Sequence, residues 1–556
     1  MTASNTGAST VDISRELAAH YAARAKLQQE EKALRHDFAF IQSLSPTARK
    51  AAEVVRRIRA HETSTIWKKE EASAHHVFPG MSFTLAKQRI EQTKLWRIVR
   101  KLPKGALLHA HLEAMVDMGW LLDRALETEG ICIFAPAPLD SPTALATVIF
   151  EFSSPTTIPK DAANIWTSAY VPNTPIPLRT AVQTFRHAHH TSFQEWFLSR
   201  TTITPAESLL QHEGVTEIWR KFQTIFIHIS PLVFHPEIFP AFVHRILADL
   251  YDDSIYWSDI RMAFLPETPS ERLVGTFEKA VTEFKAKHPN FWGASLIFTI
   301  PRSVPDEMID QLSVLCIKLK QAHPSTISAF DCVGFEDAGR SLLDLTPCIL
   351  RFKALCKAAN VDIPVFLHAG ETLLSSVSQN LLDAVLLDVR RIGHGYSLYR
   401  HPRLVQLVKE KNILLEICPI SNEVLRLAGT ILQHPIPAYL AAGVACAIGC
   451  DDPGILGQHD GCGGNGGMNG MKEGGGGSSH DFWQLLQGFD EVGLEGLGDL
   501  AQNSVQWAAF EGVASQAGIL SEGGIREERI KLWRKEWEQF CEWVVAEFGE
   551  EWLKNE

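Results

Sequence analysis

Eight short apolar runs recur across the middle of the chain, and each ends in polar or charged residues. They cover residues 106–111, 255–261, 294–299, 327–334, 365–371, 391–395, 414–419 and 444–452. Helical stretches lie between them. Short strands that are apolar on both faces belong in a parallel sheet covered by helices. Eight strand–helix units predict a TIM (β/α)8 barrel over about residues 101–520. In such a barrel the working residues cluster where the strands end, at their carboxyl side.

The rest of the chain is arranged around that unit. Residues 1–100 read as a helical extension, with apolar and basic residues at helical spacing over 48–60 and again over 85–99. It is either a collar on the barrel or a dimerisation arm. Residues of about 128–217 form an insertion after the first strand, with several Pro-rich turns. The Gly-rich stretch 461–479 reads as a flexible loop without the GxxxxGK[ST] pattern of a phosphate cradle. Residues 521–556 end the chain in a Trp-rich helix.

Composition narrows the partners. The chain carries 53 Lys and Arg against 65 Asp and Glu, a net charge of −12, which weighs against nucleic acid or an anionic membrane as the main partner. No uninterrupted apolar stretch is long enough to span a bilayer. The ten cysteines are scattered and form no CxxC pair, as expected of a reduced, cytoplasmic protein. The first residues show no basic segment followed by an apolar run, so no signal peptide is expected.

The strand ends hold the chemistry. His109 and His111 sit two apart on the first run, where a two-residue period puts both rings on one face. His368-Ala369-Gly370-Glu371 adds an imidazole and a carboxylate, with small residues between them that let a substrate approach. His394 stands between Gly393 and Gly395. Asp451 and Asp452 close the eighth run, and adjacent carboxylates there require a compensating cation or donors. Any one of these residues alone is most simply a surface or core residue. Together, three His and one Asp make a nitrogen and oxygen set suited to catalytic zinc, with an acid and a fourth His left over for proton transfer.

At these residues the chain resembles the adenosine deaminase superfamily. The matching text is His109-Ala110-His111-Leu112-Glu113, His368-Ala369-Gly370-Glu371, Gly393-His394-Gly395, Cys418-Pro419-Ile420-Ser421-Asn422 and Asp451-Asp452-Pro453. Further text at 102–108, 219–226 and 331–337 is similar to the adenosine deaminase-related growth factor branch, in an intracellular variant. The resemblance implies one zinc per chain, held by His109, His111, His368 and Asp451. It implies that Glu371 protonates the ring nitrogen beside the reacting carbon and that His394 polarises the attacking water. It also implies that Asp452 and Gly334 meet the purine, and that Glu113, Trp219 and Gln223 line the sugar end. A homodimer through the N-terminal helices follows from the same branch.

The sugar end departs from the family. Glu113 stands where its adenosine enzymes usually carry Asp, Gln223 where this branch commonly has Glu, and Pro301 where a ribose-contacting His falls. The expected reaction is hydrolytic deamination of adenosine or 2′-deoxyadenosine. The alternatives are another adenine compound (adenine, a 5′-modified adenosine or a nucleotide), a nucleoside-binding signalling protein, or a two-metal amidohydrolase. The last would want a bridging carboxylated Lys or Glu on a middle strand, and none is evident.

Overall fold

The eight apolar runs become eight parallel strands. The computed structural model describes residues 13–68, 77–153, 158, 163–186, 192–459, 477–510 and 524–553. Strand β1 (Gly105–Leu107) is followed by three strands of the insertion, β2 (Ile131–Phe134), β3 (Ile149–Phe152) and β4 (Ile176–Pro177). The chain continues through β5 (Ile255–Ala263), β6 (Gly293–Pro301), β7 (Ile327–Val333) and β8 (Phe366–Ala369). It then forms β9 (Arg391–His394), β10 (Leu414–Ile417) and β11 (Cys446–Ile448).

Strands β1, β5, β6 and β7 make one four-stranded parallel sheet, and β8 to β11 make a second. Two single bridges join them. Phe330 pairs with Val365 at one seam, and Ala110 pairs with Asp451 at the other. At the second seam His111 N donates to Asp451 O over 3.0 Å and Asp451 N donates to His109 O over 3.1 Å. The strands therefore close in chain order into a (β/α)8 barrel.

The strands are apolar on both faces because both faces are covered. Leu296, Ile297, Phe298 and Ile300 of β6 are all fully buried. Inside the barrel, Ile297, Ala329, Phe366 and Ala509 form a small apolar cluster of their own. Beside it lies a fully buried charge network. Arg261 bridges Asp331 and Glu416, while Arg391 bridges Glu416 and Asp259.

Outside the barrel, the helix Pro46–Thr65 starts at Ser45, whose side chain accepts from Ala48 N, and buries Ala51, Val54, Val55 and Ile58. It packs on the C-terminal helix Ile525–Leu553, whose Trp533 donates its indole N–H to Pro103 O at the barrel's edge. The helical spacing over 85–99 belongs to two helices, Phe83–Ile90 and Lys94–Lys101. Thr93 breaks the run, because its side chain accepts from Trp96 N and caps the second helix.

The insertion holds more than turns. Strands β3, β2 and β4 form an antiparallel sheet. Beside it Trp166, Phe185, Phe193 and Trp196 make an aromatic cluster. Of the stretch 461–479, expected as a flexible loop, 461–476 lie outside the described residues. Residues 477–479 open the buried helix Gly477–Gly488.

Candidate metal centre and active site

Each chemistry-bearing side chain sits at a strand end, and backbone conformation aims two of them. His394 and Asp451 adopt φ of 60° and 58°, a left-handed region that non-glycine residues seldom occupy. Gly393 is needed where it stands. A Cβ there would lie 3.0 Å from His109 Cε1 and 3.3 Å from His368 Cγ, so any side chain would displace the imidazoles.

The rings of His109, His111, His368 and His394 gather within 4.7–5.6 Å of one another, centroid to centroid, in the pairs that touch. Asp451 lies at their focus. Its Oδ1 is 3.2 Å from both His109 Nε2 and His111 Nε2, and its Oδ2 is 3.8 Å from His394 Nε2. His109, His111, His368 and Asp451 offer one ligand atom each, all within 4.8 Å of one another. A second overlapping set comprises His109, His394, Cys418 and Asp451. Burial pushes the Cys418 thiol well above its ordinary range, which disfavours the thiolate form that binds a metal.

A metal ion fits the first set. His109 Nε2 and Asp451 Oδ1 are buried and make no hydrogen bond, an arrangement that is costly unless something else meets them. Behind the cluster, His109 Nδ1 faces Glu416 Oε2 at 2.7 Å and His368 Nδ1 faces Asp331 Oδ2 at 2.7 Å. Each carboxylate takes the Nδ1 hydrogen and leaves Nε2 with its lone pair turned to the centre, as metal-binding histidines require. Ser421 Oγ donates to Asp451 Oδ2 over 2.7 Å. Replacing Asp331 with Asn is expected to weaken metal affinity about 10–100-fold, read by competition with a fluorescent chelator; unchanged affinity would show that the pair does not tune the ring.

Electrostatics divides the carboxyls. Burial alone would raise Asp451, but the imidazoles of His109, His111 and His394 crowded around it overcome that and hold this carboxyl well below the usual range. Glu371 goes the other way, pushed well up by burial and by the negative charge of Asp451 and Glu336. Asp452 is likewise pushed up, by burial and then by Asp451. Glu113 is raised to about 7 by burial, although its own and Ala263's N–H groups oppose the rise. Burial holds His368 down at about 4 and pushes His394 well below its ordinary value, so both rings are neutral. A divalent cation at the cluster would counter the upward push on the nearby acids.

The backbone of the Glu371 loop is clamped. Glu336 accepts from Gly370 N at 2.9 Å and from Glu371 N at 2.8 Å, and also from Asn380 Nδ2 at 2.8 Å. That leaves Glu371 Oε1 buried without a hydrogen-bond partner, as is Asp452 Oδ1. Gly334, at φ 106° after β7, presents open backbone: a Cβ there would meet nothing within 4 Å. Next to it Phe335 stacks on Trp219, with ring centroids 4.8 Å apart and planes 16° off parallel. Glu113 is 4% exposed and close enough to Asp452 to raise that carboxyl. Gln223 is exposed, and no contact ties it to the buried cluster among the described residues. Sequence reasoning missed the support beneath the cluster, namely Asp331, Glu416, Arg261, Arg391 and Glu336. The one signal for the first four was charge inside otherwise apolar strands; Glu336 lies in the turn after β7.

Residues 198–459 match the family model described as adenosine deaminase. Adenosine deaminase 2 of Homo sapiens is 29% identical over 492 residues, covering 86% of this chain and 86% of that protein. The adenosine deaminase of Aedes albopictus is 27% identical over 499 residues, covering 86% and 81%. Among solved structures, an adenine deaminase from Arthrobacter aurescens is similar with a TM-score of 0.48 at 18% identity, over 78% of this chain and 99% of that one.

Proposed function

The chain carries an adenosine deaminase family domain and is a deaminase-type hydrolase, and from that premise we propose that it hydrolyses adenosine and 2′-deoxyadenosine to the inosine compounds and ammonia. The observation that carries this reading is the convergence of three Nε2 atoms and the Asp451 carboxylate beside two buried acids, Glu371 and Asp452, each with an oxygen that no hydrogen bond meets. His109, His111, His368 and Asp451 hold one zinc per chain. When bound, zinc supplies the Lewis acidity that brings the pKa of a water ligand down to about 7.

The chain's own groups do the rest. Glu371, whose burial favours its protonated form, gives a proton to the ring nitrogen beside the carbon under attack. Its loop cannot swing, because Glu336 holds both N–H groups. His394 orients the attacking water from the far side of Asp451. Asp452, whose protonated form burial and Asp451 favour, donates to a nitrogen of the purine's five-membered ring. Gly334 lets the six-membered ring lie against bare backbone, and Trp219 with Phe335 walls the sugar end. The departure of ammonia needs a second proton, which the attacking water supplies through Glu371, and the water's other proton, released as the carbonyl forms, restores the acid.

A nucleotide needs cationic groups near its phosphate, and the residues assigned to the purine and the sugar end, Glu113, Trp219, Gln223, Gly334 and Asp452, supply none, which favours an uncharged nucleoside. The family resemblance supports a homodimer through the N-terminal helices. So does the helix Ile13–Leu34, which buries none of its residues and exposes Ile13, Leu17, Tyr21, Leu27 and Leu34. No described helix is long and apolar enough to cross a membrane. The nine described cysteines are buried free thiols, which fits a reducing, cytoplasmic setting.

The direct test incubates zinc-loaded protein with adenine, adenosine, 2′-deoxyadenosine and AMP, following loss of aminopurine absorbance and release of ammonia. Turnover of the two nucleosides is expected. Turnover of adenine alone would mean that Glu113 closes the sugar end, and turnover of AMP alone would overturn the charge argument.

A further inference from the structure

The hydrogen position on His394 is decided from outside the active site. Ile436 N–H can only donate, and it donates to His434 Nδ1 over 3.2 Å. His434 is 4% exposed, and burial keeps its ring neutral, with the pKa down at about 3. A neutral ring that accepts at Nδ1 carries its hydrogen on Nε2. That nitrogen lies 3.2 Å from Asn422 Oδ1 and donates to it. The contact fixes the amide orientation, so Asn422 Nδ2 faces His394 Nδ1 at 3.3 Å. An amide nitrogen only donates. His394 Nδ1 therefore accepts, and a ring that accepts at Nδ1 carries its hydrogen on Nε2, the nitrogen nearer Asp451.

The opposing influence is Glu371 in the carboxylate form left once its proton has gone to substrate: its Oε1 lies 3.6 Å from His394 Nδ1 and would draw the hydrogen there. We propose that Asn422 and His434 are positioning residues that lock His394 as the Nε2–H tautomer against the pull of Glu371. The lock has two consequences. It gives His394 a hydrogen-bond donor aimed at the place of the attacking water, a role that rests on the function proposed above. It also withholds His394 from the second donor set, with His109, Cys418 and Asp451, because a nitrogen that bears hydrogen has no lone pair for a metal.

Neutron diffraction from crystals of the zinc-loaded full chain reads the tautomer directly. Deuterium on His394 Nε2 with none on Nδ1 is expected, and the reverse overturns the proposal. This measurement needs no turnover, so it separates failure of the lock from failure of the assigned reaction. Kinetics gives the second reading. Asn422→Asp keeps the shape but offers an acceptor to Nδ1, and is expected to lower kcat about 10²–10⁴-fold, the range of general acid–base contacts, with KM within about threefold. His434→Leu is expected to fall similarly. His434→Gln, whose amide nitrogen reaches the same oxygen as a donor, should restore most of what the Leu variant loses. Wild-type kcat in Asn422→Asp, or equal losses in the two His434 variants, would overturn the lock.

Discussion

Replacing Glu371 with Gln is expected to cut kcat about 10²–10⁴-fold while metal content stays at the wild-type level. Glutamine fills the same space and keeps the clamp from Glu336, because that clamp holds backbone N–H groups and not the side chain. What it loses is the capacity to give and take a proton. Glu371 is 3% exposed and its Oε1 has no hydrogen-bond partner among the described residues, so no neighbouring side chain stands in for it. Deamination interrupts the aromaticity of the ring, and the ring nitrogen must be protonated as the carbon is attacked. Metal analysis and steady-state absorbance assays on the same preparation check both halves. A wild-type rate in the variant would remove Glu371 from proton transfer, and lost metal would make it a structural support.

The second large effect concerns stability. Arg391→Leu is expected to cost about 3–5 kcal/mol, the usual penalty for breaking a buried ion pair from one side. Arg391 is fully buried, pairs with both Asp259 and Glu416, and also donates to the carbonyls of Leu108 and Trp507. Its loss leaves Asp259, among the described residues, with the neutral donors Trp257 Nε1, Ser295 Oγ and Ala509 N. Urea denaturation measures the change, and a midpoint equal to wild type would show that water or rearrangement replaces the guanidinium.

The same network fixes the acid limit of the fold. Burial alone would raise the Asp331 carboxyl, but His368 and Arg261 overcome it and hold it at about 2. The folded chain therefore takes up this proton later than the unfolded chain does. The contribution is complete above the ordinary carboxylate range and disappears as pH falls toward 2. Arg391→Leu should accordingly unfold at a higher pH than wild type on acid titration.

Much of this arrangement was legible in the sequence. The eight strands announced themselves because parallel barrel strands are apolar on both faces, and their polar ends marked where side chains leave the sheet. The support beneath was hidden for the same reason. Asp331 and Glu416 sit within apolar runs, and nothing local says that each will meet a histidine from another strand. Thr93 had the identity of a cap but lay inside a helical periodicity that continues past it, so the break between the helices at 83–90 and 94–101 went unread. The insertion was harder still. Its sheet pairs Cys132 with Glu151 and with Pro177, contacts set by closure over long stretches of chain and not by neighbouring residues.

The two seams of the barrel give the metal centre a mechanical side. The halves meet through single bridges, and one seam runs through Asp451 itself. His109 and His111 belong to the first half, and His368 and Asp451 to the second. An ion held by these four is thus a rivet, with two anchors on either side of the joint. Sliding of one half against the other would have to stretch its coordination. The atom that does the chemistry would also bear load, and a chain stripped of it would lose part of its grip on its own shape.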